Sequence, residues 1–133
     1  MRILLLKCCE YAMQQQNGRH SMIGIFDNIV APYVPIDHPP FFLCAQFEFS
    51  PEEAETQLEA TILLLDPDGQ KLLDIAAEGE VPKEASSGPI RLFMQFGIPG
   101  VRFDKTGDHR VDVFANGTKI GEELLPVLVA SRP

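Results

Sequence analysis

The chain has 133 residues, of which 45% are apolar, and a formal net charge of −8. This length and apolar content predict one folded domain over residues 1–133 and exclude wholesale disorder. The net charge is acidic and Lys and Arg form no cluster, so we do not expect nucleic acid as a partner. No apolar run nears the ~20 residues of a membrane helix, so we do not expect a membrane as a partner.

The opening segment, MRILLLKCCE at 1–10, has only a short apolar run before Lys7 and no small-residue cleavage site. It therefore predicts a first β-strand rather than a signal peptide, and we expect a cytoplasmic protein. The chain has three cysteines, Cys8, Cys9 and Cys44. An odd number in an unsecreted chain disfavours a disulfide framework and predicts free thiols.

After a turn at QNGR, 16–19, the segment MIGIFDNIV places Asp27 on the same strand face as Ile23 and Ile25. A carboxylate in an apolar pocket has a raised pKa and suits catalysis. However, no second acid or base lies nearby in the sequence. We therefore interpret Asp27 as structural, either at the surface near a bend or accepting local hydrogen bonds from backbone amides.

Alternation of apolar residues with a period of two dominates the rest of the chain and predicts β-strands. In FFLCAQFEF the alternate residues Phe41, Leu43, Ala45, Phe47 and Phe49 form one wholly apolar face. The same pattern recurs at 58–66, 90–96, 110–114 and 123–130.

Turn residues separate these strands. DPDG at 66–69 and the Asn-Gly pair of ANGT at 115–118 each predict a hairpin between the flanking strands. SPEEAET at 50–56 predicts one helical turn at most. PYVPIDHPP at 32–40 has too many prolines for a central strand, and PKEASSGP at 82–89 predicts a loop.

About eight short strands, with turns every 8–15 residues, predict an all-β fold. We expect an antiparallel β-sandwich of the Greek-key, immunoglobulin-like type. A closed barrel hides the same apolar faces and is the alternative.

The stretch NGR at 17–19, followed by IGIFDNIVAP at 23–32 and a proline-rich link into an aromatic strand, resembles a family of small bacterial proteins. That family is classed as a domain of unknown function and carries an NG…IGxFDxIxAP motif. The later LLDPDG at 64–69 and the closing Asn-Gly hairpin fit the same outline, so the resemblance covers nearly the whole chain. It implies a bacterial β-sandwich and supplies no catalytic residues.

Motifs for chemistry are sparse. The sequence has no GxSxG, GxGxxG or Walker motif, and His20, His38 and His109 are isolated, so we expect no cofactor and no metal. A calcium site is conceivable if two loops meet, but turn propensity alone explains its four acids. These acids are Asp66, Asp68, Asp104 and Asp108. We expect a protein that is not an enzyme; the enzymatic alternative would place Asp27, Cys44 or a histidine in a pocket.

Several apolar residues fall on strand faces that a two-layer fold turns outward. They predict an interaction surface made of Phe42, Leu63, Phe93, Phe114, Leu124 and Leu128. The predicted function is therefore a non-enzymatic protein-interaction or structural module. The alternative is a small-ligand or carbohydrate-binding sandwich, disfavoured by the absence of Trp and the presence of only Tyr11 and Tyr33.

Pro126 lies inside ELLPVLVA, and because proline has no backbone N–H it cannot donate a hydrogen bond to a neighbouring strand. This predicts a sheet edge or bulge near that residue. The residues around it are apolar on both faces, which is unusual for an exposed edge. We therefore expect a loop or a second chain to cover the C-terminal strand, through self-association or through a protein partner.

Overall fold

A computed structural model describes residues 1–83 and 88–130 and shows an all-β protein. The described residues form strands β1 (Arg2–Gln14), β2 (His20–Phe26), β3 (Ile29–Ala31), β4 (Ile36–His38), β5 (Phe41–Phe49), β6 (Gln57–Leu65), β7 (Lys71–Glu80), β8 (Ile90–Ile98), β9 (Val101–Phe103), β10 (Gly107–Ala115) and β11 (Thr118–Val129). A 3-10 turn at Pro51–Glu53 precedes β6. Among these residues, no helix has the length and apolar character needed to cross a membrane.

The strands assemble into three sheets. Sheet A has four strands in the order β2-β1-β5-β8, all antiparallel. Sheet B has five strands in the order β3-β11-β10-β6-β7, in which only the β3–β11 pair is parallel. The short strands β4 and β9 form a separate antiparallel pair.

The hairpin predictions are confirmed. β6 and β7 pair across the DPDG turn, and β10 and β11 pair across the Asn-Gly turn. Asn116 and Gly117 both have positive φ, at 50° and 83°, as a tight hairpin with a right-handed twist requires. The single turn near Ser50 is also confirmed, and Glu53 accepts a hydrogen bond from the Ser50 amide at 2.9 Å.

The expectation of about eight strands is too low, because it omits β3, β4 and β9. Each of these has three residues, too few for alternation to appear in the sequence. The proline-rich 32–40 contributes only β4, which pairs with β9 and lies outside both larger sheets. The predicted loop at 82–89 includes residues 84–87, which lie outside the described residues.

Sheets A and B contribute side chains to one buried cluster, the main core. The apolar face predicted for 41–49 is confirmed, since all five of its residues are buried in the main core. From sheet B the main core receives Leu58, Ala60, Ile62, Leu64, Val111, Val113, Ala115, Leu125 and Val127. Phe47, Phe49 and Phe103 are its largest fully buried side chains.

The C-terminal strand is covered in part by the chain itself. β11 pairs with β10 along its length and with β3 from Val127 to Val129. The predicted sheet edge therefore extends only up to Pro126, because pairing of β11 with β3 begins at Val127. Leu124 and Leu128 remain half exposed, so β3 protects the backbone of β11 without covering these side chains.

Truncation of Phe47 should be costly, because its ring is fully buried between neighbours from both sheets. We expect Phe47→Ala to lower the free energy of unfolding by about 3–5 kcal/mol. Ile23→Ala, at a side chain that is 55% exposed, should change it by less than ~1 kcal/mol. Urea denaturation of both variants measures the difference, and similar losses would contradict this description of the core.

Candidate functional site

The β1–β2 hairpin of sheet A carries a group of exposed apolar side chains. Tyr11 pairs in register with Ile23, and both alternate with Ala12 and Met22, so Tyr11 and Ile23 share one face of the β1–β2 hairpin. Ile25 pairs with Cys9. Tyr11, Ile23 and Ile25 are 51%, 55% and 56% exposed, and Met13 beside them is also exposed. We call Tyr11, Met13, Ile23 and Ile25 the outer-face patch.

A second, smaller apolar cluster underlies this patch. Cys9, Ala12 and Cys44 are buried in it, and Met22, Phe42 and Phe93 pack against it. The Tyr11 ring meets Phe42 edge-on at 5.7 Å between centroids. Because Ala12 and Met22 alternate with Tyr11, Met13 and Ile23, the hairpin covers this cluster with one face and exposes Tyr11, Met13 and Ile23 on the other.

β2 is an edge strand of sheet A and carries no charged residue and no proline. β7, at an edge of sheet B, carries Lys71, Asp74, Glu78 and Glu80, and β8, at the far edge of sheet A, carries Arg91. Charges on edge strands discourage pairing with other chains. Among the longer edge strands described, β2 alone lacks that protection.

The interaction surface predicted from the sequence does not form one patch. Phe42 and Phe93 belong to sheet A, half-buried above the cysteine cluster. The other four residues, Leu63, Phe114, Leu124 and Leu128, belong to sheet B. The alternation argument did not indicate which strands share a sheet.

All three cysteines are free thiols, as predicted, and all are buried. Cys8 points into the main core, whereas the Sγ atoms of Cys9 and Cys44 lie 3.9 Å apart under the outer-face patch. Burial raises the pKa of Cys8 and of Cys44 to about 12. These thiols therefore act as small apolar groups and are poor nucleophiles at neutral pH.

Asp27 lies at the bend directly after β2, with its side chain 72% exposed. This placement confirms the prediction of a surface position near a bend. Its carboxylate accepts a hydrogen bond from Lys7 Nζ at 2.8 Å. The donor is therefore a side chain of β1 and not a local backbone amide. Lys7 also donates to Glu123 at 3.2 Å, so Asp27 helps to tie the hairpin to β11.

The three histidines lie in separate places. His20 stacks on Phe93 with 4.3 Å between ring centroids, and His109 is buried edge-on to Phe103. His38 lines a surface cleft. Across residues 1–83 and 88–130, no three His, Cys, Asp or Glu side chains converge in a way that would hold a metal ion.

Two of the four acids considered for calcium meet an internal cation instead. Lys105 Nζ pairs with Asp66 at 3.2 Å and also with Asp68, so an ammonium group bridges the two carboxylates. Asp104 pairs with Arg102 at 3.1 Å, and Asp108 is exposed. Asp66 also accepts hydrogen bonds from the Asp68 and Gln70 amides, both at 2.9 Å, which shows that it shapes the turn.

Sequence reasoning missed the residues of the surface cleft, which include Glu10, Asn28 and His38. They lie on β1, after β2 and on β4, and only the tertiary fold brings them together. In the sequence, Ile23 and Ile25 were considered only as neighbours of Asp27, although their spacing of two residues already predicts that both lie on one face of a strand.

Alkylation of the native protein should be slow. At about pH 8 a thiol with a pKa of about 12 is ionised to roughly one part in 10⁴, against about a fifth for a free cysteine. We expect iodoacetamide to label Cys8 and Cys44 at least ~100-fold more slowly than free cysteine, with the rate still rising above about pH 10. Mass spectrometry should find three labelled thiols after denaturation without reductant; rapid native labelling would contradict their burial.

Asp66 should make stability depend on pH. Burial raises the pKa of Asp66, but hydrogen bonds from the Gln70 amide, the Lys105 ammonium and the Asp68 amide outweigh it and hold the pKa below its ordinary value of 3.8. The resulting stabilisation is present above that value and is lost as the pH falls through the lower pKa of the folded state.

We expect Asp66→Asn to be less stable than the wild type at about pH 6 and to lose less stability between about pH 6 and about pH 3. Lys105→Gln, which removes one donor and keeps both backbone amides, should reduce the pH dependence by a smaller amount. Urea denaturation at both pH values measures the free energy of unfolding of each variant. Identical pH dependence in the wild type and Asp66→Asn would be inconsistent with these contacts.

Comparison with known proteins assigns the chain to a family. No curated protein matches it significantly. Residues 4–128 match the model of a family of unknown function, DUF6941, which covers nearly the whole chain. The chain therefore belongs to the DUF6941 family, whose function is unknown.

Proposed function

We propose that this chain is a non-enzymatic protein-interaction module that binds its partner through the outer-face patch and the edge of β2. The carrying observation is that Tyr11, Ile23 and Ile25 are more than half exposed on the adjacent strands β1 and β2, with Tyr11 opposite Ile23. Exposed apolar groups of this kind, above an apolar layer, are typical of protein-binding surfaces. The neutral edge of β2 adds unpaired backbone groups beside them.

The size of the patch favours a partner that uses backbone pairing as well as side chains. A fully covered tyrosine buries about 150–250 Å², so four side chains exposed by about half offer on the order of 400 Å². A standard interface buries about 800 Å² on each partner. An extended segment that pairs with β2 supplies main-chain hydrogen bonds and places alternate side chains beside Ile23.

A second copy of this chain fits the patch less well. If two β2 edges paired about a two-fold axis, both outer-face patches would lie on the same side of the joined sheet and stay exposed. Two chains of net charge −8 also repel each other. The proposed partner is therefore a different protein with an extended segment that is apolar at alternate positions. Pairing is expected over His20–Ile23, because Gly24, with φ of 69°, leaves the extended conformation.

We infer further that sheets A and B stack as the two layers of a Greek-key, immunoglobulin-like sandwich. Their contribution of side chains to one main core supports this arrangement. The buried thiols support residence in a reducing compartment such as the cytoplasm.

Site-specific photo-crosslinking in the source cells tests the proposal. A benzophenone side chain at position 13, inside the outer-face patch, should give one defined adduct. The same group at position 76, on the exposed face of β7, should give none. Ile23→Lys, which puts a charge on the edge of β2, should abolish the adduct.

Val30→Lys is the matched control, because Val30 is as exposed as Ile23 but lies on β3 in sheet B. It should leave the adduct unchanged. Light scattering of the purified protein at micromolar concentration should give a monomer of 14.8 kDa. A dimer of the wild type that Ile23→Lys disrupts would overturn the proposal that the partner is a different protein. Absence of an adduct at position 13 would overturn the proposed surface.

A further inference from the structure

A cleft of about 460 Å³ opens beside the main core, within the range of small-molecule sites in proteins. Its walls come from β1, from the end of β2, from β3 and β4, and from the start of β5. The lining residues are Glu10, Phe26, Asn28, Ile29, Val30, Ile36, His38, Pro39, Pro40 and Phe41. Apart from Glu10, Asn28 and His38 these side chains are apolar, so the cleft combines an apolar wall with a few polar groups.

Glu10 is placed in this cleft by a close contact with Gly24. In the β1–β2 register Glu10 lies opposite Gly24, and a Cβ atom at Gly24 would come within 2.8 Å of the Glu10 Cγ and Cδ atoms. Gly24 also has a φ of 69°, which a residue with a side chain rarely adopts. The glycine therefore allows the Glu10 side chain to lie across β2 and to line the cleft.

His38 presents a hydrogen-bond acceptor. Its Nδ1 atom lies 2.7 Å from the Pro39 carbonyl oxygen, and because a carbonyl only accepts, Nδ1 is the donor. In the neutral ring, Nε2 then keeps its lone pair. The ring is held by Phe41 and Phe103, both edge-on, and by Phe26 at 6.0 Å.

No cationic side chain in the cleft lining balances the negative charge of Glu10. No Lys or Arg lines the cleft, and the Glu10 carboxylate forms no ion pair or side-chain hydrogen bond with the residues the structure describes. A carboxylate and an imidazole acceptor both prefer a donor, and a cation satisfies the carboxylate best.

We propose that this cleft binds a primary ammonium group carried on a short apolar stem. The ammonium donates to the Glu10 carboxylate and to His38 Nε2, and the stem packs against the Phe26, Ile36 and Phe41 wall. Such a group occurs on a free small amine and on a lysine side chain of another protein. The cleft is separate from the outer-face patch, since Phe26 lies opposite Cys8 on the face of the hairpin that packs into the main core.

The test is an NMR titration of labelled protein at neutral pH with n-butylammonium and with an N-acetylated, C-amidated lysine. We expect saturable shifts at His38 and at the Phe26 and Asn28 amides. n-Butanol, which has the same stem without charge, should give no saturable binding. The probe that binds more tightly assigns the source, n-butylammonium to a free amine and the lysine derivative to a protein side chain.

Glu10→Gln keeps the shape of the side chain and should weaken ammonium binding by at least ~10-fold. Glu78→Gln, at an exposed acid on β7, is the matched control and should bind as the wild type does. The proposal is overturned if neither cation saturates the shifts, if n-butanol binds equally well, or if Glu10→Gln binds with unchanged affinity. Loss of the photo-crosslinked adduct at position 13 has no bearing on this result, so the two proposals fail independently.

Discussion

The contact between the apolar faces of sheets A and B is the constraint on which the rest of the structure depends. β5 presents an unbroken row of apolar side chains to the main core, and Phe47 and Phe49 lie fully buried in it. Burial of such rings supplies most of the stabilisation available to a chain of this size. It also decides which residues of β1 and β2 face outward, and hence where the outer-face patch lies.

Sheet A differs from an ordinary two-layer sheet because it is apolar on both faces. Cys9 and Cys44 are fully buried on the side away from the main core, under Phe42 and Phe93. A solvent-facing side normally alternates to polar residues. The exposed apolar side chains of the β1–β2 hairpin, together with an edge strand that lacks charges, are the reason we propose a protein-binding role for this hairpin rather than for sheet B. Leu124 and Leu128 on sheet B are also exposed, but the backbone of β11 is paired by β3 from Val127 to Val129.

The cleft arises where the regular sheets end. After Phe26 the chain bends, forms β3 on sheet B, and returns through a proline-rich segment to β5. This crossing between sheets separates Phe26 from Val30 and leaves open space between them. The segment 23–32 thus includes Gly24, which accommodates the Glu10 side chain, and part of the cleft wall. A structural role in the crossing accounts for Asp27, whose carboxylate binds Lys7 at the surface.

Much of the fold follows from local pattern. Alternation identified the buried face of β5, and the Asn-Gly pair identified the turn before β11, because both depend on neighbouring residues. The three-residue strands were missed because their pairing depends on partners distant in sequence, such as Ile29 with Val127. For the same reason the predicted surface was divided between two sheets, and the placement of Glu10 and His38 in one cleft had no signal in the sequence.

Selection of peptides from a random library on the immobilised native protein tests the central claim most directly. We predict enrichment of peptides that are apolar at alternate positions, with binding lost in Ile23→Lys and retained in Val30→Lys. Absence of enrichment, or enriched peptides that bind both variants equally, would contradict the claim that the outer-face patch and the β2 edge form the recognition surface.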